Sequence, residues 1–507
     1  MDSGALLLGV DIGTYETKAV LVDDKGRALA CARSVHSVEV PSAGFAEHDA
    51  EKSWWAGLAT SVSEVLKRWG GPVWRVAAIS CSGIGPCVLP VDARLRPLRP
   101  AVLYGIDTRA TVEIAELTRR LGLEKLLEKC GRLLSSQSAG PKIWWLKRHE
   151  PPLAASAAYF LTSHSYVVAR MTGEVVVDHA TASYFDPLYD QVAGKWDTSG
   201  CEDFVRAEQL PRLCWPSDVA GLLGSEAARE LGLPEGIPVM VGTADAVAEG
   251  VACGAVEPGD MMIMYGSSSF MIGVTDRPCF GPELWNAPYA FAGIASLTAG
   301  TATAGTATRW ICNLLALGDS NVPGSEFEEL MELAAQSCIG ANGVMVLPQL
   351  SGERTPVYDP SARAALVGLS LTTGRADVAR ALLEGVAHSM AGALAAYPRA
   401  GFVPKRLLAT GGGTNNELWV KSVSDISGYT QQIVDGAGAA QGSAAIAAIG
   451  VGALDAGSCG AWAHLGAVVI PDPRAHELLA VAQDDYWRLY TALRQARRPA
   501  RTEDDGL

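Results

Sequence analysis

Positive charge is scarce in this chain: 41 Lys and Arg stand against 55 Asp and Glu, a formal net charge of −14 at pH 7. That balance excludes a nucleic-acid surface built on a basic stripe and gives no electrostatic pull toward anionic lipid. A nucleotide ligand is still allowed, because it needs only local donors. Long hydrophobic runs are missing as well. No stretch reaches the roughly 18 apolar residues of a membrane span, and the N-terminus has no basic segment followed by a long apolar core. The 11 cysteines are scattered with no CxxC pair. They read as small buried hydrophobes in a reducing compartment, so a cytoplasmic protein is expected. There is no GxxxxGK[ST], no HExxH and no GxSxG. P-loop transfer, zincin chemistry and serine-hydrolase elbows therefore lack their sequence support.

What is present fits a globular enzyme of more than one core. The chain has 507 residues, 49% of them apolar and 19% charged, with 54 glycines. The stretch Leu6–Asp23 organises the rest. An apolar run ends at Asp11, a polar turn follows through Gly13, Thr14, Tyr15, Glu16, Thr17 and Lys18, and a second apolar run spans Ala19–Val22. This is a strand, a turn and a strand. It reads either as an ordinary hairpin or as a phosphate cradle, since glycine allows close backbone approach and amides with hydroxyls suit phosphate oxygens. Asp11 among those donors would repel phosphate unless a cation intervened, which suggests Mg²⁺ held through water. In the second half the layout recurs: a strand from Asp260, then Gly266-Ser267-Ser268-Ser269, then a strand to Asp276. Two like halves suggest two domains closing on one phosphate chain.

Along the chain, the apolar spacing of Trp55, Leu58, Ala59, Val62, Val65 and Leu66 predicts a helix from Asp49 or Ser53 to about Trp69. A strand Val73–Ile79 leads into a loop with Gly83, Ile84, Gly85 and Pro86. Another strand ends in Tyr104-Gly105-Ile106-Asp107-Thr108-Arg109, where Asp107 and Arg109 either bind polyol hydroxyls or brace the loop. Helices are expected over Val112–Leu121, from Pro141, over Asp377–Tyr397 and from His476 to Arg497, with a charged, disordered tail after it. Asp245 follows the strand leading to Gly242-Thr243 and reads as a general base or as a helix N-cap. Gly305 opens a helix carrying Arg309 and could hold an anion. Leu407–Thr410 is a strand ending in Gly411-Gly412-Gly413, with Asn415 and Asn416 next. Those glycines permit approach to a flat ligand or form a bare turn. Gly436, Gly438 and Gly442 have the wrong spacing for a dinucleotide fingerprint, so a Rossmann dehydrogenase is discounted.

In their order and spacing these segments resemble the FGGY family of carbohydrate kinases. Asp11-Ile12-Gly13-Thr14 is similar to its first phosphate loop, Gly266-Ser267-Ser268 to its second with Ser for the usual Thr, and Gly411-Gly412-Gly413 to its adenosine loop. Ser351–Pro356 is similar to its Gly-Glu-Arg-Thr-Pro segment, Ala364–Glu384 to its C-terminal signature and Pro141–Leu146 to its first. The resemblance implies an α/β fold of two actin-like (ribonuclease H-like) ATPase domains flanking a central catalytic cleft. The expected domains are 1–243, carrying sugar and the first phosphate loop, and 244–475, binding ATP, with 476–507 as a C-terminal helix and tail. By the same resemblance Asp245 is the catalytic base, and Asp11 with Asp245 handles Mg²⁺. ATP falls to Gly13, Thr14, Lys18, Gly266, Ser267, Gly305, Arg309, Gly412, Gly413 and Asn416. The sugar falls to Gly83, Ile84, Gly85, Asp107 and Arg109.

The implied activity is ATP-dependent phosphorylation of a small sugar, a ketopentose such as D-xylulose, with a homodimer as the expected assembly and neither nucleic acid nor membrane as partner. Two departures bear on the sugar. Family members acting on xylulose usually carry a Gln-Met-His-Gly-like segment where this chain has Gly83-Ile84-Gly85-Pro86, and Asn after the catalytic Asp where it has Ala246. Alternatives are another ketose or polyol (ribulose, fuculose, gluconate, glycerol) or a non-catalytic actin-like nucleotide-binding protein.

Overall fold

The computed structural model describes residues 4–279, 283–318, 322 and 324–496. The tail from Arg497, read above as disordered, lies outside the described residues. The chain divides into two compact units. One comprises Met1–Asp260, Gly273–Leu297 and Gly436–His464; the other comprises Met261–Ile272, Thr298–Asp435 and Leu465–Leu507.

In the first unit, β1 (Leu6–Ile12) and β2 (Glu16–Val22) form the expected hairpin, closed by the Gly13 N–H donating to the Glu16 carbonyl at 2.9 Å. A Cβ on Gly13 would stand 2.8 Å from that oxygen, so the turn tolerates no side chain there. Strand β3 (Ala28–Val35) pairs antiparallel with β2, and β4 (Val76–Gly83) pairs parallel with β1. Asp49 caps the first helical segment by accepting from the amides of Glu51 and Lys52. The chain then enters α1 (Ala56–Trp69), whose Leu58, Val62, Val65 and Leu66 pack with Leu6, Leu8, Val10 and Ile12 of β1. Helices α2 (Ala139–His149) and α3 (Ser163–Thr172) follow, then β5 (Val219–Leu222), β6 (Pro238–Met240) and β7 (Thr243–Ala244). The sheet order is β5-β6-β4-β1-β2-β3, with β7 also beside β4. Helix α4 (Asp245–Ala252) starts directly from β7.

The second hairpin is also present, as β8 (Asp260–Tyr265) and β9 (Ser269–Thr275). Further on come β10 (Ala295–Thr301), α5 (Gly305–Leu314) and α6 (Arg375–Leu394). Helix α6 is buried along most of its length, and its small residues allow this. A Cβ on Gly385 would meet the Val346 carbonyl at 2.1 Å, and one on Gly392 would meet the Trp487 ring at 2.3 Å. Strand β11 (Arg406–Thr410), helix α7 (Glu417–Ser427) and strand β12 (Gln431–Asp435) follow. Helix α8 (Ala439–Gly450) returns to the first unit, and β13 (His464–Val469) and α9 (Pro473–Ala496) end the described chain. The second sheet runs β10-β9-β8-β11-β12-β13, with the strand Trp285–Pro288 at its edge beside β10. Helix α8 lies flush on β1 and α4: a Cβ on Gly9 would be 2.0 Å from the Ala440 carbonyl, and one on Gly442 would be 1.8 Å from that of Ala248. Strand β1 is therefore covered on both faces, which explains its unbroken apolar run.

All 11 cysteines are free thiols, but the reading of them as buried hydrophobes needs correction at Cys31 and Cys338, which are exposed. No helix among the described residues is long and apolar enough to cross a membrane.

Candidate active site

The first unit gathers its polar groups where parallel strands end, the usual place for a ligand in an open α/β sheet. Strand register puts Asp11 of β1 beside Ser82 of β4, and Ser82 beside Thr243 of β7. Ser82 Oγ donates to Asp11 Oδ1 at 2.9 Å. One residue past β7, Asp245 is the first residue of α4, with Ala244 in the cap position. Its Oδ1 accepts from the Ala246 amide at 2.8 Å. Burial raises the Asp245 carboxyl to about 7, the charge of Asp11 adds to that, and the Ala246 amide opposes it. Asp11 is raised too, by burial first, with the Ser82 hydroxyl and Lys18 pulling down.

One helical turn beyond Asp245 stands Glu249, which the sequence reading passed over. Burial, then Asp245 and Asp11, push its carboxyl well above the usual range. The available signal was its spacing: an acid four residues after Asp245, in a segment otherwise of small apolar residues, must share that helix face. Carboxylates crowded in this way favour a proton, or a cation, among them. Among the described residues no group of three or more ligand-type side chains is arranged to hold a metal ion. A hydrated Mg²⁺ needs only one or two carboxylates, and Asp11 with Asp245 fits that lesser requirement.

Thr14, at the hairpin tip, shares a 2.9 Å hydrogen bond with the Tyr104 hydroxyl. Lys18 is exposed and pairs with Glu16 at 3.0 Å. The loop expected to meet sugar is firmly packed. Gly83 and Ile84 are buried, Ile84 N donates to the Ile12 carbonyl at 2.8 Å, and Ser163 Oγ donates to the Ile84 carbonyl at 2.6 Å; Gly85 is half-buried. Asp107 and Arg109 brace their loop. The Arg109 guanidinium bonds Asp107 and Glu47, each at 2.7 Å, and Asp107 Oδ2 accepts from the Ala46 amide at 2.7 Å. Both side chains are fully buried. Beneath β7, Asp178 accepts from Thr243 Oγ1 at 2.9 Å and faces His164 at 3.1 Å. Burial alone would raise its carboxyl, but His164 and Thr181 outweigh that and hold it below the ordinary range. No motif flagged this buried pair, because its members lie far from Thr243 in the chain.

The second unit brings its own predicted residues together at the end of β8. Gly305 N donates to the Gly266 carbonyl at 2.9 Å, and Thr306 N to the Ser267 carbonyl at 3.0 Å, so the Gly266-Ser267 turn sits on the N-terminus of α5. The glycine loop lies against the same strand end: a Cβ on Gly411 would be 2.6 Å from the Tyr265 carbonyl, and one on Gly413 would be 2.5 Å from the Trp419 ring. Nothing stands within 4 Å of a Cβ on Gly412. Asn416 caps α7, its Oδ1 accepting from Trp419 N at 3.0 Å, which leaves its amide group to donate. Arg309 is largely exposed, 3.6 Å from Glu326 and over the Phe327 ring. Glu353 of the Gly-Glu-Arg-Thr-Pro segment is buried, accepting from Gln349 and Ser389 at 2.9 and 2.8 Å.

Known proteins match this arrangement. The N-terminal domain of the FGGY family of carbohydrate kinases matches residues 6–252, and the C-terminal domain of that family matches residues 261–451. A xylulose kinase of Escherichia coli K12 is 29% identical over 88% of this chain and 90% of its own length. One from Streptomyces coelicolor is 30% identical over 85% of this chain and 84% of its own. The crystal structure of a xylulose kinase from Rhodospirillum rubrum superposes with a TM-score of 0.90 at 30% identity, covering 97% of this chain and 99% of that one.

Proposed function

Since the chain belongs to the FGGY family of carbohydrate kinases, and so is a sugar kinase with ATP as co-substrate, we propose that its acceptor is a ketopentose such as D-xylulose and that Asp245 is the general base. The observation that carries the mechanism is Asp245 itself: a carboxyl tuned to about 7, at the strand ends, beside Asp11. A base poised near working pH accepts a hydroxyl proton most effectively. Asp245 takes that proton as the sugar oxygen attacks the γ-phosphorus of ATP, and ADP leaves. Mg²⁺, bound by Asp11 and Asp245 through water, would neutralise charge on the transferred phosphoryl group. Gly13, Thr14 and Lys18 serve phosphate on the first unit. Gly266, Ser267, Gly305, Arg309, Gly412, Gly413 and Asn416 serve the nucleotide on the second.

The relatives named above support the choice of sugar, since each is a xylulose kinase. Asp107 and Arg109 serve the sugar chiefly by fixing the Tyr104–Arg109 loop, and Gly83, Ile84 and Gly85 serve it as packed support, since the Ile84 backbone is bonded to Ile12 and Ser163. We further place the enzyme in the cytoplasm, where its free thiols stay reduced, as a homodimer. The test is ADP release with pentuloses, hexuloses, polyols and glycerol as acceptors. Xylulose or another ketopentose should give the highest kcat/KM. A clear win for glycerol, gluconate or a hexulose would remove the ketopentose assignment and leave the kinase.

A further inference from the structure

Lys142 of α2 is an ammonium group where packing alone would favour a hydrophobe. Its side chain is buried, and its Nζ donates to the carbonyls of Leu103 at 2.6 Å and Tyr104 at 2.7 Å. Among the described residues no carboxylate lies within ion-pair distance of it. Burying an unpaired ammonium costs several kcal/mol in general, so a Lys at such a place is sustained by what it holds. What it holds is one loop. The residues just before and within the first turns of α2 grip successive peptide units: Lys142 takes carbonyls 103 and 104, Ser136 Oγ donates to the Gly105 carbonyl at 2.9 Å, and Gln137 Oε1 accepts from the Gly105 amide at 3.1 Å. Between those grips Tyr104 extends to Thr14.

We propose that Lys142 is a positioning residue for phosphoryl transfer: by fixing the backbone at Leu103 and Tyr104 it holds the Tyr104 hydroxyl against Thr14, so that the Thr14 hydroxyl keeps its own proton for a phosphate oxygen. The inference rests on the reading of Thr14 as a phosphate contact. The 2.9 Å bond allows either hydroxyl as donor; in the proposed sense Tyr104 donates to Thr14 and Thr14 donates onward. Without Lys142 the loop keeps its outer grips but loses the inner one. Because a misplacement of about 1 Å can cost about a hundredfold in rate, the effect falls on turnover beyond any loss of sugar affinity that loosening this loop brings.

The experiment is a double-mutant cycle of Lys142→Met and Tyr104→Phe, with kcat and KM for sugar and ATP, plus amide hydrogen exchange of residues 103–107 without substrates. Lys142→Met should lower kcat by about tenfold to a hundredfold, by more than it raises the sugar KM, and speed exchange at Asp107, whose amide donates to the Tyr104 carbonyl that Lys142 also holds. Tyr104→Phe should lower kcat in the same sense, and the double variant should be no worse than Lys142→Met alone. Parental kcat in folded Lys142→Met, a change in KM alone, or losses that multiply in the double variant would each overturn the proposal. If Lys142→Met does not fold, Tyr104→Phe decides alone, and unchanged kcat there overturns it. Exchange reads the clamp without any substrate, and the acceptor panel on the parent enzyme reads the kinase assignment. The two failures are therefore distinguishable.

Discussion

Asp245 combines a catalytic assignment with a stability cost. Between its ordinary 3.8 and about 7 the native chain keeps a proton there that the unfolded chain has released. Stability from this group is therefore greatest at low pH and is lost as pH rises through that window. Asp245→Asn should fold, lose about 10²- to 10⁴-fold in turnover, and still bind nucleotide. It should also melt increasingly above the parent as pH is raised from 5 to about 8, by an amount of order 1 kcal/mol or more. Near-normal turnover in the folded variant would move the base elsewhere, and a melting difference that ignores pH would mean Asp245 is not tuned by burial. Gly412 offers a cleaner test of the nucleotide loop than its neighbours. Gly411 and Gly413 are hemmed in by Tyr265 and Trp419, whereas a side chain on Gly412 enters open space. Gly412→Val should match the parent in melting temperature and lose at least about tenfold in ATP affinity, about 1.4 kcal/mol by calorimetry. Unchanged affinity would make the triple glycine a plain turn.

At the scale of elements, α4 presents Asp245 because α8 presses on it. The Gly442 position leaves no room for a methyl group against the Ala248 carbonyl. Gly442→Ala should push α4 from its seat, costing at least about 1–3 kcal/mol in denaturant titration and lowering kcat along with it. Parental stability would mean that the two helices separate freely. Much of this level was legible in the chain. Apolar periodicity located α1, the expected helices over 377–397 and 476–497 match α6 and α9 to within a few residues, and the Gly-hydroxyl turns located both hairpins. The pairing of α8 with β1 was not legible. Gly436, Gly438 and Gly442 suggested only a broken fingerprint, whereas Gly442 and Gly9 serve close packing, which depends on which backbone arrives opposite. Asp107 and Arg109 had two readings in the sequence. The structure gives the brace, because Glu47 completes the ion pair from a distant segment.

Across the whole molecule, the residues that converge are distant in the chain, and strand order decides which ones meet. Asp11, Ser82 and Thr243 become neighbours because β4 lies between β1 and β7. Gly266, Gly305 and Gly411 become neighbours because β8 ends where α5 begins and β11 runs beside it. Motif spelling could name these residues, but topology was needed to group them. The grouping gives a prediction for ligand-induced protection. The residues proposed for the nucleotide gather mainly at the β8 end in the second unit, with Gly13, Thr14 and Lys18 at the first hairpin, and those proposed for the sugar lie in the first unit. An ATP analogue alone should slow amide exchange over 264–269 and 411–416, where backbone N–H groups would meet phosphate and adenosine. Xylulose alone should slow exchange over 104–109 and 245–249 and leave 411–416 unaltered. Either ligand should raise the melting temperature in proportion to ln(1 + [L]/Kd), and Gly412→Val should abolish only the nucleotide's share. Protection of 104–109 by the analogue without protection of 411–416 would reverse the assignment of the two units, and Asp245 would then need a different acceptor beside it.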